Sequence, residues 1–267
     1  MDTLRKEYRS KTLLVLFVFT ILVVVVSRSL LDFISSASQE GGTTGMAAQG
    51  LGLFSLNIFY TFIDMWSVLV ASIIGVNTLK TDLDHKVGIQ LLSFPIRRKT
   101  YLFSRLLGSW FIVSCYYIFS LLFAGALFSL SSETFLVGGQ FLVALLNSSL
   151  IVLSTLIFAM AFSMVLPRFM ALIANFMFMG LISLSNGAFL QKSLREAVAG
   201  LDLGSGLLYI VYWIFPRYAN LNSFTNRVLF DSKSLDMGNY LFTVGHFLLF
   251  AFLWAWIFSY FFERRDL

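Results

Sequence analysis

Charged residues are scarce in this chain: Asp, Glu, Lys and Arg make up only 12% of its 267 residues. A soluble globular chain carries about 25% of these residues. Hydrophobic residues reach 58%, and the thirty phenylalanines are more than a soluble core of this size can hide. The composition therefore excludes an ordinary soluble domain. It predicts an all-α integral membrane protein, in which lipid is the solvent for most side chains.

Cysteine and histidine are almost absent, which argues against several kinds of chemistry. The one cysteine, Cys115, lies in an apolar run and has no intrachain disulfide partner. The two histidines, His85 and His246, form no H-E-x-x-H motif, so we expect no metal site. A G-x-x-x-x-G-K-[ST] phosphate loop and a G-x-S-x-G nucleophile motif are also missing. We therefore expect neither a cofactor nor enzymatic activity on this chain.

Long hydrophobic runs take the place of charge. A helix needs about 20 apolar residues to cross a bilayer, and six segments reach that length. The predicted spans are residues 12–32, 52–76, 102–130, 136–166, 169–190 and 240–262. The first span begins with basic residues, like a signal peptide. Its apolar run continues past Arg28, however, so we expect it to remain uncleaved.

The formal net charge of +5 comes from basic residues that mostly lie at the ends of the apolar runs. A basic chain could bind nucleic acid, but this placement is typical of topology determinants, so no nucleic-acid partner is predicted. With a cytoplasmic N-terminus, thirteen of the nineteen Lys and Arg residues face the cytoplasm, and the outer loops 33–51 and 131–135 have none. The positive-inside rule therefore predicts that both termini are cytoplasmic.

The largest non-spanning region is predicted at residues 186–239, on the extracytoplasmic side. Within it, residues 206–216 read GLLYIVYWIFP, which is apolar but too short to cross a bilayer. Tyr209 and Trp213 suit the level of the lipid headgroups. We therefore predict a short interfacial or re-entrant helix before the last span.

A cytoplasmic segment between the second and third spans holds most of the patterned charge. Leucine and valine recur at every fourth position from 79 to 91, on one helical face, and charged and polar residues lie between them. This pattern predicts an amphipathic helix over residues 79–94 at the membrane surface, with Asp82 on a face other than the apolar one. Pro95 ends the helix, because the residue before a proline avoids the helical conformation. The basic residues 97–99 follow, where they can meet lipid phosphates.

The same region contains an ordered set of motif pieces: Asp84, Gly88, LLS at 91–93, PIRR at 95–98, Tyr101 and Gly108. In this order they resemble the membrane subunits of type-2 ATP-binding-cassette (ABC) exporters. IFPRYANLNSF at 214–224 and the basic ending FFERRDL are similar to that family's pattern as well. The resemblance covers nearly the whole chain. It implies a single six-span permease domain over residues 1–267, in the cytoplasmic membrane of a bacterium or archaeon.

The resemblance also implies a mechanism in which this chain has no catalytic residues. Two permease chains, identical or related, would pair with two ABC ATP-binding subunits, and those subunits would bind ATP and Mg. The 79–94 helix would be the coupling helix that docks on the ATP-binding subunit. The residues implied in this coupling are Asp82, Asp84, His85, Lys86, Gly88, Gln90, Ser93, Pro95, Arg97 and Arg98. The alternative for this segment is an ordinary cytoplasmic loop with basic anchors.

Three polar residues inside the predicted spans are candidates for a translocation path: Asp64, Asn147 and Asn175. A carboxylate at the centre of a membrane helix costs about 2.5–3.5 kcal/mol on insertion scales, so Asp64 should face protein or water. These residues either line a path or hydrogen-bond to neighbouring helices. Two other functions stay open: an ion-gradient-driven transporter that uses Asp64, and a membrane scaffold or assembly factor that transports nothing.

Overall fold

The computed structural model describes residues 45–84, 97–129, 139–189, 203–229 and 237–264, together with positions 18, 21, 22, 25, 26 and 29. All regular structure in these residues is α-helical, as the composition predicts. The helices are α1 (Gly45–Asp84), α2 (Arg98–Ser129), α3 (Gly139–Val165), α4 (Arg168–Phe189), α5 (Leu203–Ile214), α6 (Tyr218–Leu229) and α7 (Met237–Glu263).

Five of these helices, α1, α2, α3, α4 and α7, are long and apolar enough to cross a membrane, by length and composition. They correspond to the predicted second to sixth spans, and the described residues thus have the helices of a multi-pass membrane protein. The first predicted span, residues 12–32, lies largely outside the described residues. Pro167 lies in the connection between α3, which ends at Val165, and α4, which begins at Arg168. The two helices do not form one continuous helix, because proline lacks the backbone N–H that a helix interior needs.

Helix α1 continues past the predicted end of the second span at residue 76. Residues 79–84, predicted to begin a separate surface helix, are the last turns of α1. Leu79 is fully buried and Asp82 is 1% exposed, since residues three apart share one side of a helix. The prediction that Asp82 lies on a face other than the apolar one is therefore wrong. Asp82 faces the bundle, where α2 supplies its partners.

Helix α3 is the centre of the bundle and contacts α1, α2, α4, α6 and α7. Its Phe158 is buried and joins several of these elements through aromatic contacts. Four other aromatic rings surround it at centroid distances of 4.9 to 6.1 Å, those of Phe178, Phe215, Phe258 and Trp254. The abundant aromatic residues thus serve as packing between α3, α4, α7 and the residue that follows α5.

Two short helices, α5 and α6, lie in the region predicted to be extracytoplasmic. Helix α5 agrees with the short apolar helix predicted at 206–216. Helix α6 was not predicted, because its sequence YANLNSFTNRVL is polar. It is nevertheless part of the bundle, since it contacts α3, α4 and α7 and buries Tyr218, Leu221 and Thr225. Each short helix has 12 residues and rises only about 18 Å, too little to cross a bilayer alone.

Helices α1 and α3 approach closely at Gly75. A Cβ atom added to Gly75 would lie 2.8 Å from the Cβ of Ala159 and 3.2 Å from a Cδ atom of Leu156. A side chain at this position would therefore force the two helices apart. Small residues allow such close approach, and the resulting van der Waals contact is a main source of attraction between helices in lipid.

Gly75→Ala is expected to lower the stability of the purified protein, because the new methyl group overpacks the contact between α1 and α3 at a cost of about 1–3 kcal/mol. Thermal unfolding in detergent measures the effect. The control is Gly180→Ala on α4, where an added Cβ meets no atom within 4 Å. The control should be neutral or slightly stabilising, since alanine favours helix. Equal unfolding temperatures for the two variants would contradict the close approach.

Candidate functional site

A buried ion pair joins the end of α1 to the start of α2. A guanidinium nitrogen of Arg105 lies 2.8 Å from Oδ2 of Asp82. Tyr101, one turn earlier on α2, donates its hydroxyl to the same carboxylate oxygen, and the Arg105 guanidinium lies 5.6 Å from the Tyr101 ring centroid. These three residues, the Asp82 cluster, fix the two helices to each other on either side of residues 85–96.

The start of α2 is also joined to the end of α7. Lys99 Nζ lies 3.0 Å from a carboxylate oxygen of Glu263. Arg98 donates a hydrogen bond of 3.1 Å to the backbone oxygen of Glu263, and the Tyr101 ring stacks on Phe262 at 6.4 Å. The Lys99 pair is partly exposed and contributes little alone, about 0–1 kcal/mol. Together the three contacts hold α7 against the helix that follows residues 85–96.

The structure describes only some of the residues predicted to couple this chain to an ATP-binding subunit. Asp82 is buried in the Asp82 cluster and so positions α1 and α2 rather than offering a surface. Arg97 is exposed, and Arg98 is partly buried against Glu263. Asp84 is the last residue of α1, and its side chain is not among those described. The predictions for His85, Lys86, Gly88, Gln90, Ser93 and Pro95 also lie outside the described residues.

A second group of polar side chains lies among apolar residues, around Asp64. Ser148 of α3 donates a hydrogen bond of 2.9 Å to Asp64 Oδ1. The amide nitrogen of Asn222, on α6, lies 3.5 Å from Oδ2. The Tyr60 hydroxyl is 3.2 Å from the Ser148 hydroxyl. Asp64 is only 8% exposed, so its carboxyl group faces protein, as the cost of placing it in lipid requires.

Asn147, the residue before Ser148, connects α3 to α6 and α7. Its amide nitrogen donates to the Thr225 hydroxyl at 2.9 Å and to the backbone oxygen of Leu221 at 3.3 Å. The Tyr240 hydroxyl of α7 donates to its amide oxygen at 3.0 Å. Both ends of the buried amide are therefore bonded. We call the following residues the Asp64 cluster: Tyr60, Asp64, Asn147, Ser148, Asn222, Thr225 and Tyr240.

Asn175 is separate from the Asp64 cluster. Its amide nitrogen donates a hydrogen bond of 2.8 Å to the Ser72 hydroxyl and so joins α4 to α1. Ser72 lies two turns of α1 beyond Asp64, a rise of about 12 Å. Of the three residues predicted for a path, the structure thus brings Asp64 and Asn147 into one cluster and places Asn175 in another.

The side chains of Asp64, Asn147 and Asn175 each form a hydrogen bond to a helix other than their own. This geometry favours hydrogen bonding between helices as their role. Such bonds contribute about 0.6 kcal/mol each on average. Sequence reasoning did not single out Asn222 or Arg105 as functional. Asn222 lies in the segment 214–224 that resembles the family's pattern, but its partner Asp64, 158 residues away, could not be identified from the sequence. Arg105 did give a signal, because it lies inside the predicted span 102–130, where a charge either pairs with another group or extends to the interface.

Neither a metal centre nor a known relative defines the site. No group of three or more His, Cys, Asp or Glu is placed to hold a metal ion in the part of the chain that the structure describes. No protein-family model matches the chain, and comparisons with curated proteins and with solved structures found no match. The functional inference therefore depends on the sequence motif and the geometry above.

Asp82→Ala and Arg105→Met are each expected to destabilise the protein by about 3–5 kcal/mol, since each removes one partner of a buried ion pair. The double variant should cost less than the sum, because neither charge remains. Thermal unfolding of the four proteins measures the coupling. Lys99→Met, in the partly exposed pair with Glu263, is the control and should change the free energy of unfolding by less than about 1 kcal/mol. Additive single effects would argue against the ion pair.

Asp64→Asn is expected to change the free energy of unfolding by less than about 1 kcal/mol, because the amide oxygen can still accept the Ser148 hydroxyl. Asp64→Leu should cost more, about 1–3 kcal/mol, because it leaves Ser148 and Asn222 buried without this partner. Unfolding in detergent compares the two variants. A loss as large for Asp64→Asn as for Asp64→Leu would show that the negative charge itself stabilises the fold.

Proposed function

We propose that this chain is the membrane-embedded permease subunit of an ABC exporter. In the proposed complex, two permease chains form the translocation path. Two separate ATP-binding subunits bind ATP with Mg and hydrolyse it. The observation that carries the proposal is the motif in residues 84–101. It extends from the last residue of α1 into the first turn of α2. Both helices are long enough to cross a membrane, and the Asp82 cluster joins them beside the motif.

The contacts around residues 85–96 support a coupling role for that segment. It connects Asp84, the last residue of α1, to Arg97, the residue before α2. Because Arg105 and Tyr101 bond to Asp82, a displacement of the segment would move α1 and α2 together. The contacts of Arg98 and Lys99 with Glu263 would carry the same movement to α7. Packed elements transmit such displacements because they deform little.

The absence of a phosphate loop supports placing ATP on a partner chain. A second candidate, an ion-gradient-driven transporter, has one observation in its favour, the buried carboxyl group of Asp64. The two candidates predict different results for Asp64→Asn. The ABC permease keeps its transport activity, whereas the gradient-driven transporter loses it while remaining folded. A scaffold that transports nothing would show no substrate movement in either protein.

The proposed function is tested by co-expression with the ABC ATP-binding subunit that the proposal expects in a neighbouring reading frame. We expect the two chains to co-purify and the ATPase rate to depend on the permease. The reversals Asp84→Lys and Lys86→Glu should weaken both. They introduce unfavourable charge at the proposed docking segment, and like-charge contacts suppress association.

The matched control is Arg227→Glu, a reversal at an exposed position on α6 within the region predicted to be extracytoplasmic. It should leave co-purification and ATPase rate unchanged. Failure of the wild-type chain to co-purify with an ATP-binding subunit would contradict the proposal. Equal behaviour of the reversals at residues 84 and 86 and the control would contradict the assignment of the coupling segment.

A further inference from the structure

The turn between α5 and α6 encloses an arginine whose charge is held among aromatic rings. Arg217 is only 4% exposed. Its guanidinium carbon lies 4.3 Å from the Tyr212 ring centroid, 4.4 Å from that of Trp213 and 5.7 Å from that of Phe242. Burial lowers the pKa of Arg217, yet a guanidinium stays protonated in proteins. Cation–π contacts offset only part of the cost of burying such a charge.

Three buried N–H donors at this turn have no hydrogen-bond partner among the described residues: Nε and Nη2 of Arg217 and Nε1 of Trp213. The neighbouring His246 is not such a donor, because its Nε2 lies 3.1 Å from the backbone oxygen of Trp213 and donates to it, which leaves Nδ1 of the neutral ring as an acceptor. Each unsatisfied buried donor costs about 1–3 kcal/mol, and charged ones cost more. Such groups are rare in folded proteins, so their concentration at one turn indicates an acceptor that binds there.

We propose that these residues, the Arg217 cage (Tyr212, Trp213 and Arg217, with the Phe242 ring as its cover), bind an oxyanion of the phosphate class, supplied by an anionic lipid headgroup. A phosphate group offers several acceptor oxygens, which match the planar donor fork of a guanidinium and the indole N–H. Its negative charge compensates Arg217, which the aromatic faces do only in part.

The surroundings of the Arg217 cage favour lipid as the source of the phosphate. Helix α5 exposes Leu207, Ile210 and Ile214, a surface that suits acyl chains. Tyrosine and tryptophan are the side chains enriched at headgroup level. Phe242 lies five residues into α7, a rise of about 7.5 Å, which is comparable to the thickness of one headgroup layer.

Phe242 is the side chain that can admit the ligand. Its ring centroid lies 5.7 Å from the guanidinium carbon of Arg217, and the residue is 56% exposed. Rotation of this ring would uncover Arg217 without moving a helix. Removal of the ring should therefore increase access to the Arg217 cage, whereas removal of the guanidinium should abolish binding.

The proposal is tested on the full-length chain, purified in detergent and titrated with phosphatidylglycerol or, separately, phosphatidylcholine. Native mass spectrometry counts bound lipid, and thermal unfolding measures stabilisation. We expect wild type to retain phosphatidylglycerol preferentially. Arg217→Met should lower that retention at least roughly ten-fold, the loss expected for hydrogen bonds to a charged group. Arg217→Lys keeps the charge without the donor fork, so it should retain an intermediate amount.

Two variants at neighbouring positions of α7 serve as a matched pair. Phe242→Ala should retain more phosphatidylglycerol than wild type, because it uncovers the guanidinium. Leu241→Ala, at a neighbouring residue that is 65% exposed, should behave as wild type. Loss of binding in Phe242→Ala, with Leu241→Ala unaffected, would overturn the assignment of Phe242 as the cover of the cage.

Other sources of the acceptor give distinct results. Inorganic phosphate could stabilise wild type but not Arg217→Met, while lipid has no effect. That result would support the Arg217 cage as an anion site and would overturn lipid as the source of the phosphate. Equal responses of wild type and Arg217→Met to lipid and to phosphate would overturn the proposal.

A carboxylate of the chain itself is the remaining source. Residues 190–202 and 230–236, outside the described residues, contain four: Glu196, Asp202, Asp231 and Asp236. Each of these carboxylates can be replaced by its amide, alone and together with Arg217→Met. If one replacement destabilises the protein as much as Arg217→Met, and the double variant loses no further stability, the two residues form an internal ion pair. That result would overturn the proposal. No ATP-binding subunit is present in these measurements, so their failure leaves the proposed function untouched.

Discussion

Polar side chains inside this bundle have to bond to protein, because lipid offers neither donors nor acceptors. Helix α3 has many of these polar side chains. Ser148 bonds to Asp64 on α1, Asn147 bonds to α6 and α7, and Ser154 lies 2.8 Å from the hydroxyl of Tyr218 on α6. Burial of apolar surface alone would not fix the rotation of α3, since lipid solvates its apolar faces as well as other helices do, although the close approach at Gly75 adds to the polar bonds. The polar bonds fix it, and the positions of α1, α6 and α7 follow.

The two ends of α7 differ in how their charge is satisfied. Near Phe262 and Glu263, the cations of α2 have acceptors, and the Asp82 cluster lies beside them. Near Phe242, some 30 Å away along the helix by its rise per residue, Arg217 has aromatic faces and unsatisfied donors. One end of the molecule is therefore closed by paired charges, and the other holds a cation for which the described residues provide no anion.

The long helices could be predicted from the sequence because an apolar run and its end signals are local properties. The end of α1 could not, since a four-residue repeat fits a continued helix as well as a new one. Asp82 was placed on the wrong side because its partner, Arg105, lies on another helix. Helix α6 escaped prediction for a related reason: its polar sequence gains stability only from tertiary contacts. The protein-facing position of Asp64 was predicted correctly, since it follows from the cost of a carboxyl group in lipid.

The distribution of polar bonds also constrains how the proposed transporter would move. An element held by hydrogen bonds can exchange them for bonds to water or substrate when a path opens, whereas two helices packed closely through small residues lose that contact when they separate. Helix α6 is bonded in this way through Asn147, Asn222 and Tyr218, while α1 and α3 have the close contact at Gly75 in addition to their hydrogen bonds. A displacement delivered at residues 85–96 would therefore move α1, α2 and α3 together. The rearrangement that opens a path would then fall on α6 and the turn that holds Arg217.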